Sequence, residues 1–287
     1  MTELDLVRWI RARGRGIGDD CAVLPGGRGN NMLVTTDMLI EDVHFRRADP
    51  PALVGHRALA RGLSDIAAMG GVPRWCLLSL AVPEWASAAW TKRFFAGLLD
   101  LAKLHKTPLV GGDTSHARQA VADIVVIGEA PRGEELRRSG ARPGDGIYVS
   151  GALGGAGARN YAPVKIEPRL ALGRFLRKKR ATACMDITDG LSLDLHRLCV
   201  ESGVAAVIDH PLPVVHGATL EQALHAGDDY ELLFTTREEP PRSYRGLALT
   251  RVGSIVKGPA GRLELFGRRH TPKGYDHLGS PKERSRK

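Results

Sequence analysis

The chain has 287 residues, 43% of them hydrophobic, which is enough apolar material for one large domain or two of ordinary size. Its formal charge is +9 with a pI near 9.6, yet aromatics make up only 5% and no helix-turn-helix or aromatic RNA-binding signature accompanies the basic residues, so the excess reads as a solvated surface and no nucleic-acid partner is expected. No apolar run approaches the roughly 18 residues that span a bilayer, the opening Met1-Thr-Glu-Leu-Asp5 lacks the basic and apolar regions of a secretory signal, and Cys21, Cys76, Cys184 and Cys199 show no zinc or C-x-x-C spacing, so a cytoplasmic protein with reduced thiols and no membrane partner is expected.

In chain order, Thr2 is placed to cap a helix through Arg11, with Leu4, Val7 and Ile10 on one face. Asn31–Thr36 has the pattern of a strand. Pro51–Met69 reads as a helix, with Pro51 suiting its first turn and Gly70-Gly71 stopping it. Trp75–Val82 is strand-like, Pro83–Lys106 a long helix, and Leu109-Val110 a short strand running into glycine. Val121–Gly128 and Gly146–Ser150 are further strands. The turn-rich stretch Ser139–Asp145 marks a domain boundary, dividing the chain into 1–138 and 139–287. Beyond it come helices at Pro168–Lys179 and Leu191–Ser202, then strands at Val204–Ile208, Tyr230–Phe234 and Leu247–Val252, and a frayed basic tail. Alternating strand and helix patterns argue for an α/β (α+β) fold.

The acids carry the functional signal. Asp37 closes the run Met32–Thr36, Asp113 follows Leu109-Val110-Gly111-Gly112, and Asp186 follows Ala183-Cys184-Met185, with Asp189 three residues on. Asp19 and Asp20 come after Gly16-Ile17-Gly18. Each reads as a polar turn at the edge of an apolar element, where a scaffold delivers side chains to a common rim. One such acid is ordinarily a cap or turn former; five such places are harder to explain that way. Converging carboxylates repel unless protonated or neutralised by cations. Carboxylates with threonine hydroxyls are hard oxygen ligands suited to Mg²⁺, whose remaining positions usually carry substrate phosphates. Phosphoryl transfer is therefore the expected chemistry.

Other signals are weaker. Asp65 sits in a small-residue helix, either paired with Arg61 one turn away or lying at a site above the close packing of Ala58, Gly62 and Ala68. No G-x-x-x-x-G-K-[ST] loop occurs. Gly151-Ala-Leu-Gly-Gly-Ala-Gly157 follows a strand but is not G-x-G-x-x-G, and tight loop packing explains it. His44 beside Asp42 reads first as a structural histidine.

Taken together, Gly16-Ile-Gly-Asp-Asp-Cys-Ala22, Thr35-Thr-Asp-Met-Leu-Ile-Glu-Asp-Val-His-Phe45, Leu63-Ser-Asp-Ile-Ala-Ala-Met-Gly70, Gly111-Gly-Asp-Thr114, Arg138-Ser-Gly-Ala-Arg-Pro-Gly-Asp145, Asp186-Ile-Thr-Asp-Gly-Leu191, Gly227-Asp-Asp-Tyr-Glu-Leu-Leu-Phe-Thr235 and Lys273-Gly-Tyr-Asp-His277 resemble, in order, the blocks of the thiamine-monophosphate kinase family, within the superfamily of aminoimidazole-ribonucleotide synthetase. The resemblance implies a two-domain PurM-like fold, a homodimer formed through the N-terminal sheet, and ATP-dependent phosphorylation of thiamine monophosphate. It implies that Asp20, Thr35, Thr36, Asp37, Asp65, Asp113, Asp186 and Asp189 hold several Mg²⁺ ions, that Phe95, Gly112, Asp113, Arg138 and Thr188 meet ATP, and that His44, Asp228 and Tyr275 meet thiamine monophosphate. Asp65, Asp113 and Arg138 would carry catalysis. The chain departs from the family pattern at Asp228 (usually glutamate), Gly62 (usually asparagine), a shortened stretch 156–167, and Leu278 (commonly aromatic). Another ATP-dependent synthetase or maturation enzyme of the superfamily, or an inactive basic binding protein, are the competing readings.

Overall fold

The computed structural model of the chain describes residues 3–276 and 278; Met1, Thr2, His277 and the tail from 279 lie outside the described residues, and with them the expected Thr2 cap. The first half runs α1 (Glu3–Arg11), β1 (Ala22–Pro25), β2 (Asn30–Ile40), α2 (Pro51–Ala68), β3 (Val72–Val82), α3 (Ala88–His105), β4 (Leu109–His116) and β5 (Val121–Pro131). Its strands form a five-stranded sheet ordered β1-β2-β5-β3-β4, with β3–β4 parallel and the other pairs antiparallel. The alternation of buried and part-buried residues along β5 shows one face turned to the core and one left open. Leu33, Leu39, Leu78, Leu80, Ile124 and Val126 are buried on the core side, beneath α2 and α3.

The second half runs β6 (Gly146–Ser150), α4 (Gly155–Ala158), α5 (Leu170–Lys178), β7 (Ala183–Asp186), α6 (Leu191–Ser202), β8 (Ala205–Ile208), α7 (Leu220–His225), β9 (Leu232–Thr236), β10 (Ser243–Tyr244), β11 (Leu247–Val256), β12 (Leu263–Leu265) and β13 (Arg268–His270). These strands make a sheet ordered β13-β12-β8-β11-β6-β9-β7, with β10 beside β11. One of its faces, including Tyr148, Cys184 and Phe234, joins the core beneath α2 and α5; the other packs Ile147, Val149, Met185 and Leu233 against Leu195 and Leu198 of α6. All four cysteines are buried free thiols.

Helix α2 is the hub. A Cβ on Gly55 would lie 1.8 Å from Phe94 O, one on Gly97 1.8 Å from Ala52 O, and one on Gly173 1.9 Å from Ala67 O. Backbone therefore meets backbone where α3 and α5 cross α2, and only glycine leaves room. A Cβ on Gly62 would lie 2.7 Å from Val126 Cγ2, so the space a side chain would need there is taken up by β5.

Several boundaries differ from expectation. Helix α3 begins at Ala88, not Pro83: Pro83–Ala86 forms a turn, and the Ser87 hydroxyl caps the helix by accepting from Trp90 N at 3.2 Å. Strand β2 continues to Ile40 and β4 to His116, because β5 supplies ladder partners along all of β2 and β3 supplies them from Gly111 to His116. Asp37 and Asp113 thus stand within strands, not in turns at their ends. Strand β9 starts at Leu232 because Asp228 and Tyr230 take left-handed φ values of 57° and 53°.

Candidate active site

Three elements deliver carboxylates to one point. Asp20 comes from the loop before β1, Asp65 from the last turns of α2, and Asp186 from the end of β7. One carboxylate oxygen from each lies within 4.8 Å of the others. The surrounding hydrogen bonds fix their orientation. Thr35 Oγ1 donates to Asp65 Oδ2 at 2.5 Å, and Ser64 Oγ to Asp186 Oδ2 at 2.5 Å. Arg138 donates to Asp20 Oδ1 through Nη2 at 2.5 Å and Nε at 3.2 Å. The other Asp20 oxygen, Oδ2, is buried and accepts no hydrogen bond among the described residues.

Burial, then the nearby charges of Asp186, Asp37 and Asp20, pushes the Asp65 carboxyl well above the usual carboxylate range. Burial and then Asp20 do the same to Asp186. Burial opposes the charge on Arg138, but Asp20, Asp186 and Asp194 together outweigh it and raise that guanidinium's pKa. The pocket thus holds more negative charge than its own cation offsets. Hard oxygen donors, close spacing and an unsatisfied buried carboxylate oxygen fit a divalent cation such as Mg²⁺.

Around this trio the other expected residues divide. Asp37 stands at the rim, its carboxylate gripped by Arg61 through Nε at 2.9 Å and Nη2 at 2.7 Å. Asp65 therefore has Thr35 as partner, and the helical Arg61–Asp65 pair is not formed. Arg138 and Thr188 line one cavity of about 280 Å³ with Gly18, Asp189 and residues of α1 and α6. An ion pair between Arg11 and Glu201 forms part of its wall, joining α1 to α6. Asp189 points to Arg197 Nη1 at 2.5 Å and is not one of the trio. His44 and Asp228 share a small cavity of about 50 Å³ with Tyr161. The His44 ring is set by Ile40 N, which donates to Nδ1 at 3.0 Å. Tyr275 is buried and lines a neighbouring cavity that also includes Tyr161.

Four expected residues stand apart within one chain. Thr36 alternates to the sheet's open face and donates to Asp123 Oδ1 at 2.6 Å. The register Met38–Asp123–Ser79–Asp113 puts Asp113 on that same face, three strands from β2 and so about 14 Å away across the sheet. Gly112 is held in β4, where a Cβ would lie 1.9 Å from Leu78 O. Phe95 packs edge-on to Phe94 in α3, ring centroids 5.7 Å apart, and does not line the Arg138–Thr188 cavity.

Sequence reasoning missed Ser64, Arg57, Tyr161 and Asp194. Arg57 is buried and clasps Asp228 with Nη2 at 2.9 and 2.8 Å, while its Nη1 donates to Val164 O at 3.1 Å. Asp194 Oδ2 gathers the backbone N–H groups of Thr188, Asp189 and Gly190 at 3.0, 3.0 and 3.2 Å, and so shapes the loop after β7. A signal existed for two of them: Arg57, Arg61 and Asp65 recur every fourth residue along α2, and Ser64 is next to the last of these.

Residues 18–130 match the family model described as AIR synthase related protein, N-terminal domain. That match, with the paired sheets and the carboxylate pocket between them, puts the chain in the class of proteins built on the aminoimidazole-ribonucleotide synthetase scaffold. The chain is 34% identical to the thiamine-monophosphate kinase of Bacillus subtilis strain 168, with 97% of this chain and 100% of that protein covered. It is 32% identical to that of Aquifex aeolicus strain VF5, covering 91% and 92%. A solved structure of AaThiL complexed with AMPPCP and TMP superposes with a TM-score of 0.88 at 31% identity, covering 96% of this chain and 97% of that one. The chain belongs to the thiamine-monophosphate kinase family.

Proposed function

We propose that this chain phosphorylates thiamine monophosphate to thiamine diphosphate at the expense of ATP, the last step in making that diphosphate, by direct in-line transfer assisted by Mg²⁺. The observation that carries this reading is the largely buried trio Asp20, Asp65 and Asp186 with its unsatisfied oxygen. Those three, with Asp37 at the rim, would hold Mg²⁺, which when bound supplies charge neutralisation to a triphosphate. Arg138 and Thr188 would orient the nucleotide in the cavity they share. The backbone of Arg138 is held on both sides, since its N–H donates to Asp19 Oδ1 at 2.9 Å and its carbonyl accepts from Ser202 Oγ at 2.9 Å.

His44 and Asp228 would hold the thiamine monophosphate, with Arg57 setting the direction of the shorter Asp228 side chain. The acceptor is a phosphate oxygen, anionic at neutral pH, so no strong general base is needed and positioning with charge neutralisation suffices. The test is a Mg²⁺-dependent assay with ATP and thiamine monophosphate. Failure to form thiamine diphosphate, or turnover indifferent to EDTA, would refute the reading.

We also take the division at 138/139 as the domain boundary; its support is that every strand of the first sheet precedes it and every strand of the second follows. The homodimer reading is supported by the open sheet face, where Met38 and Trp75 are 49% and 47% exposed beside Val125 and Leu77. Pairing through that face would cover its apolar residues and let Thr36 and Gly112-Asp113 serve a site shared between two subunits.

A further inference from the structure

On another flank of α2 lies a cavity of about 790 Å³, bounded by the end of α3, the start of β3 and the connection that enters α5. Its size is that of a small-molecule site, roughly 300–1,000 Å³. Adjacent residues of a helix diverge by about 100°, so Arg57 turns to Asp228 while His56 turns to this cavity. The cavity shares none of its lining with the carboxylate trio or with the Arg138–Thr188 cavity.

We propose that this cavity is a second binding site, for a phosphorylated small molecule with an apolar or aromatic body. Two kinds of surface meet there. Leu101, Leu104 and Ile166 give an apolar wall, and Leu104 is 73% exposed, a large apolar side chain left to solvent beside cations. Lys106, Lys165 and Arg174 give the charge, and none of the three has an acidic side chain at ion-pair distance among the described residues. The acids nearby are committed elsewhere: Glu129 to Arg74, and Glu167 to Arg169 at 3.1 Å.

The crowding of positive groups also registers on the histidines. Burial is the main cause that lowers the pKa of both His105 and His56; His56 and Arg174 add to it at His105 against Glu167, and Lys165 and Arg57 add to it at His56 against the hydrogen bond to Ile166 O. An anion would relieve this crowding, much as a cation would relieve the carboxylates of the active site.

The cavity wall is also held in place. His56 Nε2 donates to Ile166 O at 2.8 Å and Arg57 Nη1 donates to Val164 O at 3.1 Å, so Lys165 stands between two anchored carbonyls. Lysine and arginine are the usual phosphate partners, the first as a point charge and the second as a planar fork.

The experiment titrates the full chain with ADP in EDTA by calorimetry, where an active site that needs Mg²⁺ is silent. Saturable 1:1 binding is expected, retained in Asp65→Asn and weakened about 100-fold in the double variant Lys165→Glu/Arg174→Glu, which loses two charge-assisted contacts. Lys165→Gln/Arg174→Gln, with milder surface changes, should weaken it in the same direction. Both double variants should keep Mg·ATP turnover of thiamine monophosphate within about two-fold, since neither residue belongs to the active site. Inorganic pyrophosphate should bind more weakly than ADP, because it cannot cover Leu104. No saturable binding in EDTA, binding undiminished in both double variants, binding lost in Asp65→Asn, or pyrophosphate binding as tightly as ADP would overturn the proposal. The turnover assay tests the active-site reading separately, so the two can fail independently.

Discussion

Replacing Asp65 by asparagine should make the metal-free protein more stable while abolishing its activity. Asp65, Asp20 and Asp186 offer oxygens within 4.8 Å of one another. At that separation two unit charges repel by about 3.5 kcal/mol at an effective dielectric near 20. Asparagine removes two such pairs and can still accept from Thr35 Oγ1. The wild-type trio already sheds part of the repulsion by raising its own pKa values, so the net gain should be about 2–4 kcal/mol, or roughly 5–10 °C in melting temperature. Differential scanning fluorimetry in EDTA should show that rise. Adding Mg²⁺ should raise the melting temperature of the wild type clearly and of the variant little, while kcat for thiamine diphosphate formation falls by orders of magnitude. A melting temperature in EDTA that is unchanged or lower, or an equal Mg²⁺ response in both proteins, would refute the charge-relief argument.

Four other outcomes follow from the geometry. Arg57→Met strands Asp228, whose side chain is only 15% exposed; the fold should lose about 3–5 kcal/mol by chemical denaturation, and the KM for thiamine monophosphate should rise more than that for ATP. Gly97→Ala forces a Cβ to within 1.8 Å of Ala52 O, so α2 and α3 must separate at a cost of about 3 kcal/mol or more, seen as a lower denaturation midpoint. The Asp229 carboxyl, pushed up to about 7 chiefly by burial although Gly154 and Gly155 N–H donate to it, is protonated more readily folded than unfolded. Its contribution to stability is thus full below about pH 4 and lost as pH rises through about 7; Asp229→Asn should flatten the melting-temperature profile across that window. Finally, Val125→Glu on the open sheet face should yield a monomer by light scattering with reduced turnover, whereas a monomeric wild type would remove the dimer argument.

How much was legible in the sequence varied with how local the determinant is. Helix α6 matched its expected span, Leu191–Ser202, because the terminating Gly203 is a local stop signal and adopts left-handed φ 68°. Helix α2 was legible from Pro51 and Gly70 for the same reason. The lengths of β2 and β4 were not, since a strand continues wherever a neighbour offers ladder bonds, and those neighbours are remote in sequence.

The same division holds at the site. The sequence by itself supplied the acids, their place beside apolar runs and the oxygen-donor chemistry that suits magnesium, because side-chain identity is local information. Only the tertiary structure decided which of them meet. It drew Asp20, Asp65 and Asp186 together from three distant elements, gave Asp228 the buried Arg57 as its partner, and left Asp113 on the open face across the sheet. The reason is physical: a carboxylate's role is set by the charges and hydrogen-bond donors within a few ångströms of it, and in a chain that folds two sheets around one helix those neighbours come from segments 24 residues away for Asp37, 30 for Asp65, 122 for Asp186 and 171 for Asp228.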